Sequence, residues 1–387
     1  MLPRRKRCVC QFLKHVCMKK ILYFILLFLF VFDLSSQSSN TVAQLPTFNA
    51  KKGVNIASWL SQSRQRGERR KNFFTRDDVK DIAALGFDHV RIPIDEEQMF
   101  SKEGEKEIEA FGLLHDAIGW CREFNLKVIV DMHILRSHFF NAAVRPLFTE
   151  VAAQEQFYNC WRLISGELNK YPNEMLAYEL MNEPVADDSE MWNIIAIRCT
   201  EEIRKLEPYR TIVIGSNGWQ TYACVKELRL PPNDKNIIIS FHYYNPDALT
   251  HYTASWANYR TYTGPVHYPG IVATAEEIAK LPQEQQEKYG HLSSLVFNRE
   301  VIEKHFQEVA DEAKKWGLTV YCGEFGCLAA APEADRDRWY ADMGSLFKQF
   351  DFGFGHWDFK GNGFGIKRNG EWMWTIIEPL TGKTKLE

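Results

Sequence analysis

Two glutamates stand at the C-terminal ends of apolar, strand-like runs. Glu183 closes Leu176-Ala-Tyr-Glu-Leu-Met-Asn182 and is followed by Pro184; Glu324 closes Leu318-Thr-Val-Tyr-Cys-Gly323 and is followed by Phe325-Gly326. A carboxylate that ends a strand beside Pro or Gly suits a cleft better than a core. Two of them in one chain could divide the cleavage of a glycosidic bond: one protonates the leaving oxygen, the other attacks or stabilises the anomeric carbon.

Strand-like and helix-like segments alternate from residue 51 to the end, and they must position this pair. The strand candidates are 53–58, 89–94, 127–133, 176–183, 211–216, 237–244, 319–325 and 353–359, and helical patterns cover 75–85, 106–124, 151–169, 189–206, 294–316 and 333–350. Thr75 followed by Asp77-Asp78 looks like a helix start, and Gly86 and Gly317 sit where helices should stop. Eight strands with helical connections are the count of a (β/α)8 TIM barrel, built as a single catalytic domain. An open doubly wound sheet is the alternative, but the glycine-rich phosphate turn expected after an early strand is missing.

A barrel gathers its chemistry at the C-terminal ends of its strands. Arg91, Asp131, His133, Asn182, Asn217-Gly218-Trp219, His242-Tyr243-Tyr244 and Trp357-Asp358 all fall there. Taken singly, each has a purely structural reading: His133 as a hydrogen-bonded barrel residue, Trp357 as packing, Arg91 as a buried ion-pair partner. Their recurrence at one phase of the strand repeat favours a shared site.

The ordered set resembles glycoside hydrolase family 5, the cellulase-like branch of the retaining (β/α)8 glycosidases, from about Gly53 to about Leu380. The residues that carry the resemblance are Arg91 in Arg-Ile-Pro, His133 after Asp-Met, Asn182-Glu183-Pro184, His242-Tyr-Tyr244, Glu324 in Gly-Glu-Phe-Gly, and Trp357, with 141 residues separating the glutamates. The resemblance implies Glu183 as acid/base and Glu324 as nucleophile, supported by Arg91, His133, Asn182, His242, Tyr244 and Trp357. Side chains at i and i+2 share a face of a strand, so Tyr244 rather than Tyr243 points with His242. Arg91 and Tyr244 are expected to keep Glu324 ionised, and a neighbouring carboxylate with partial burial to keep Glu183 protonated. The retaining mechanism demands a carboxyl separation of roughly 5–5.5 Å. Neither a metal nor a cofactor is required.

Substrate is less legible. Trp59, Trp219 and Trp256 could stack on sugar faces, which points to an extended β-linked polysaccharide or oligosaccharide substrate, though each has a packing alternative; the resemblance to the cellulase-like branch implies a β-1,4-linked glucan. The alternatives of the same fold are a β-mannanase, a xyloglucan-type or exo-acting glycosidase, or a carbohydrate-binding barrel without catalysis. The insertion 245–291, rich in Tyr, His and Pro, is expected to shape one end of the cleft or to close it. The segment 61–70 carries four arginines, read either as a solvated loop or as a contact for acidic decorations.

The remaining composition bounds the setting. The 387 residues are 45% hydrophobic and 25% charged, enough for a large packed core. A net charge of -3 gives no footprint for nucleic acid. Lys19-Lys20, the apolar run 21–32 and the polar stretch after it have the order of a secretory signal, assigned to 1–36, with Met18 the expected start of translation and the residues before it an upstream extension, and 37–50 a linker. The run is short for a membrane span; an uncleaved anchor is the alternative. A monomer, secreted or periplasmic and with no stable membrane partner, is the expectation. Six cysteines remain beyond the signal, too dispersed for a zinc site or a disulfide scaffold, with a Cys322–Cys327 bridge left open.

Overall fold

A computed structural model of the chain describes residues 48–361 and 363–385. The expected signal segment and most of the expected linker lie outside these residues. Eight parallel strands close into a barrel: β1 (Lys52–Asn55), β2 (His89–Asp95), β3 (Lys127–Ile134), β4 (Leu176–Glu179), β5 (Thr211–Gly215), β6 (Ile237–Tyr243), β7 (Thr319–Phe325) and β8 (Gly353–His356). Each strand pairs with its neighbours in sequence, and β8 pairs with β1 to complete the ring. The helices outside are α1 (Arg76–Ala84), α2 (Ile108–Glu123), α3 (Val151–Leu168), α4 (Ser189–Leu206), α5 (Arg299–Trp316), α6 (Glu333–Phe350) and α7 (Trp374–Thr381). After β5 a turn over Asn217–Gln220, left-handed at Gly218, Trp219 and Gln220, and a 3-10 segment (Tyr222–Glu227) replace a full helix.

Local chemistry sets the boundaries. Thr75 caps α1 by accepting the Asp78 N–H, while Asp78 accepts the Thr75 N–H, a reciprocal capping box. Gly317 ends α5 in the left-handed region at φ 63°, a conformation that costs glycine little. Five strands end earlier than their apolar patterns suggest. The largest difference is β4, which stops at Glu179 and leaves Glu183 on the following loop, because the chain turns away from the ladder once Leu180 has bonded to Val213.

Strand alternation separates two cores. Outward residues such as Val90, Ile92, Val128, Val130, Phe241 and Tyr243 pack beneath the helices. Inward residues Ile129, Ala177, Val213, Ile238 and Tyr321 fill the lower barrel, and Phe48 plugs it from below. Phe48 and Ala50 therefore belong to the domain, although the sequence pattern placed them in the linker. The upper inward positions carry the charged residues.

The insertion after β6 folds into short helices (Asp247–Thr250, Ala275–Ile278, Gln283–Tyr289), with Gly270–Ile271 paired to Val296–Phe297. Among the described residues no helix is long and apolar enough to cross a membrane. All six cysteines there are free thiols, Cys322 and Cys327 included, so the bridge left open by the sequence is not formed.

Candidate active site

Arg91, pointing inward from β2 and fully buried, is the hub of the site. Its Nε donates to Glu179 at 2.6 Å, Nη1 to Asn55 at 2.8 Å and Glu324 at 2.9 Å, and Nη2 to Asn182 at 2.9 Å. Asp131 lies 3.0 Å from Nη2. Burial opposes the guanidinium charge, but Asp131, Glu179 and Glu324 outweigh it and push its pKa well up. A buried cation among carboxylates is costly to assemble and rigid once complete.

Glu324 reaches this hub through a break in the strand pattern. Tyr321 points inward, so strict alternation would turn Glu324 outward beside Cys322. Between β6 and β7 the register shifts: Phe241 pairs with Cys322, and the next residue, His242, pairs with Glu324. The extra residue, Gly323, re-aims the carboxylate into the barrel. Glu324 then accepts from Arg91 on one oxygen and from the Tyr244 hydroxyl, at 3.0 Å, on the other. Burial raises its pKa; the Arg91 charge is the strongest opposing influence and the Tyr244 bond adds to it.

Glu183 sits opposite, with φ 46°, a left-handed conformation that a β-carbon makes unfavourable. Its backbone N–H donates to Gln220 Oε1 at 2.8 Å, and its Oε1 lies 3.1 Å from His242 Nδ1. Burial, followed by the charge of Glu324, pushes its pKa well above the usual carboxylate range. An oxygen of Glu183 and one of Glu324 lie within 4.8 Å of each other. That separation falls on the close side of the division between roughly 5–5.5 Å for retaining and about 6.5–9.5 Å for inverting carboxylate pairs.

The pair stands in a cleft of about 800 Å³, lined also by His133, Asn182, His242, Tyr244, Trp219, Trp256 and Trp357. His133 bonds Asp131 through Nδ1 at 2.7 Å and lies nearly parallel to the Trp357 ring, 9° apart at 5.5 Å. Burial lowers the His133 pKa to about 4 and holds His242 well below its usual value, so both are neutral at ordinary pH. Asn182 spends its oxygen on Arg91, and its buried Nδ2 has no protein acceptor. Residues 49–363 match the family described as "Cellulase (glycosyl hydrolase family 5)". The chain belongs to glycosyl hydrolase family 5.

Two curated relatives illustrate the membership. Endoglucanase C of Acetivibrio thermocellus is 32% identical over 82% of this chain and 93% of its own. Cellodextrinase A of Ruminococcus flavefaciens is 30% identical over 77% of this chain and 82% of its own. Among solved structures, a hyperthermophilic endo-beta-1,4-glucanase in complex with substrate superposes with a TM-score of 0.69, at 25% identity, over 86% of this chain and 97% of its own.

In this family 5 barrel the structure brings together all eight residues picked out from the sequence: Glu183, Glu324, His133, Asn182, His242, Tyr244 and Trp357 line the cleft, and Arg91 lies beneath them. Tyr243 points away and bonds His305, as the alternation required. Trp59 does not join the site; it is fully buried, donates its indole N–H to Arg70 O at 2.8 Å and packs on Phe74. Three positioning residues were missed. Glu179 had a legible signal, a charge at the inward phase of an apolar strand; Asn55 and Gln220 had none. Glu183, His242 and Glu324 also form a trio able to face a metal ion. Both oxygens of Glu324 are already engaged, one of them by the Arg91 cation, so a second positive charge there would meet repulsion.

Proposed function

We infer that this family 5 chain is a retaining, endo-acting β-1,4-glucanase. The observation that carries the reading is the close carboxylate pair with unequal surroundings: Glu324 beside Arg91 and Tyr244, and Glu183 more strongly favoured to hold a proton. Glu324 attacks the anomeric carbon while Glu183 gives its proton to the departing oxygen. The C–O bond breaks, the reducing-end fragment leaves, and a glycosyl ester forms on Glu324. Glu183, now ionised, takes a proton from water, which attacks the same carbon and frees Glu324 with the original configuration. The Asn182 Nδ2 is suited to the sugar 2-hydroxyl, and Trp357 to the floor under the sugar being cleaved.

Glucan as the polymer draws support from the endoglucanase and cellodextrinase among the relatives. The half-exposed rings of Trp219 and Trp256 support an extended chain along the cleft. Export and a monomeric state complete the proposal; the basic and apolar order of residues 19–32 supports the first.

Purified protein assayed for reducing-sugar release and product sizes on β-1,4-glucan, mixed-linkage glucan, xyloglucan and mannan tests the reading. A ladder of oligomers from β-1,4-glucan, abolished in Glu324→Ala, is expected. Activity confined to mannan would overturn the substrate, and activity surviving in Glu324→Ala would overturn the mechanism. Export is checked by the mass of protein recovered from the medium.

A further inference from the structure

A second cavity, of about 750 Å³, lies against the loop that follows β1. Gln62 lines both it and the catalytic cleft, so the two adjoin at that side chain. Arg64, Arg66, Arg69 and Lys360 line the second cavity, with the half-buried ring of Phe73, and no carboxylate side chain faces it. Lys360 is matched by Asp78 at 2.8 Å. The three arginines take part in none of the ion pairs among the described residues, although the chain as a whole is slightly acidic.

The loop is braced. The neighbouring Arg70 is buried and bonded to Gln98, Glu107 and Glu109, and Gln98 also donates to Ser63 O. The exposed arginines therefore project from a held backbone. Three guanidinium groups around one concavity repel each other, and an anion between them relieves that repulsion. Their planar forks match carboxylate geometry.

The barrel order places this cavity relative to the reaction. β1 lies between β8, which leads to Trp357, and β2. Glu183, Trp219 and the insertion follow β4, β5 and β6 on the far side of the ring. The leaving fragment departs on the Glu183 side, so the non-reducing part of the chain runs past Trp357 toward Gln62. We propose that the cavity is a subsite for an anionic substituent, a carboxylate carried by a sugar on the non-reducing side of the cleavage point. The proposal rests on the glucanase reading for its direction.

The test compares wild type with Arg64→Gln/Arg66→Gln/Arg69→Gln on carboxymethyl and hydroxyethyl β-1,4-glucan of matched substitution. The ratio of kcat/KM for the charged to the neutral polymer is expected to fall five-fold or more in the triple variant. The wild-type ratio is expected to fall as salt rises, through screening. An unchanged ratio in the variant overturns the proposal. Calorimetric titration of Glu324→Gln protein reads binding without turnover, using cello-oligosaccharides neutral, oxidised to the carboxylate at C6 of the non-reducing unit, or sulfated there. Tighter binding of the oxidised form, lost when the arginine substitutions are added, supports the subsite. Preference for the sulfated form alone overturns the carboxylate assignment, and equal affinity for all three overturns the subsite itself. Failure of wild type on both polymers would reject the glucanase reading instead, and the titration would still decide the cavity.

Discussion

Glu183→Gln removes the proton donor while keeping the side-chain volume and a bond toward His242. Two ionised carboxylates no more than 4.8 Å apart repel by at least about 3.5 kcal/mol at an effective dielectric of roughly 20. The pair therefore retains one proton over a wide pH range. Burial and the Glu324 charge place it on Glu183, while Arg91 and Tyr244 hold the negative charge on Glu324. Activity is lost as pH falls through the Glu324 titration and as it rises through that of Glu183. Both are raised, so the bell lies above the ordinary carboxylate range. General acids contribute about 10²–10⁴ in rate, or about 2.7–5.4 kcal/mol at roughly 1.36 kcal/mol per decade, and kcat/KM on unactivated glucan should fall by that factor. A dinitrophenyl β-cellobioside leaves without a proton, so its kcat/KM should change less than about ten-fold. Deglycosylation, lacking its base, then limits turnover, and kcat and KM fall together. Azide needs no base; it should restore turnover and give the β-glycosyl azide. The basic limb of the pH profile should vanish on the activated substrate. Equal losses on glucan and on the dinitrophenyl glycoside would refute the assignment of Glu183 as the acid.

Asn182→Ala should lower kcat/KM by about 10²–10³, the usual effect of deleting a donor that serves the transition state, and should cost a 2-deoxy substrate far less; steady-state kinetics on the two substrates checks it. Arg91→Met strands Asp131, Glu179 and Glu324 without their cation, and the loss of stability should be about 3–5 kcal/mol. Their pKa values then stand further above those of the unfolded chain, so the deficit grows as pH rises, and melting temperatures at pH 5 and pH 8 should diverge from wild type in that order. Gln220→Leu leaves the Glu183 N–H without its acceptor, at a cost of about 1–3 kcal/mol. The unbraced Glu183 loop should also lower kcat more than it raises KM. A variant with wild-type melting and wild-type kcat would show that Gln220 positions nothing.

The barrel was legible because its elements obey short-range rules. Apolar runs at strand length, the Thr75 capping box and the left-handed Gly317 are written in neighbouring residues, and they survive in the structure. The placing of Tyr244 with His242 followed from a two-residue repeat, which needs no tertiary information. The departures have long-range causes. A tryptophan near a strand end is chemically fit for a sugar, yet Trp59 is turned into the core by its bond to Arg70, eleven residues away. Asn55 and Gln220 acquire their roles only through groups far away in sequence, Arg91 on β2 and the Glu183 N–H on the loop after β4.

The two glutamates, their order and their supporting polar residues were determined by the sequence alone, since residue type and position at strand ends are local properties. Their relation in space was decided by the tertiary structure. Glu183 stands four residues beyond its strand in a left-handed turn held by Gln220, and Glu324 faces inward only because β7 gains one residue against β6 at Gly323. A register shift depends on which strand lies alongside, and no local pattern in either strand records it.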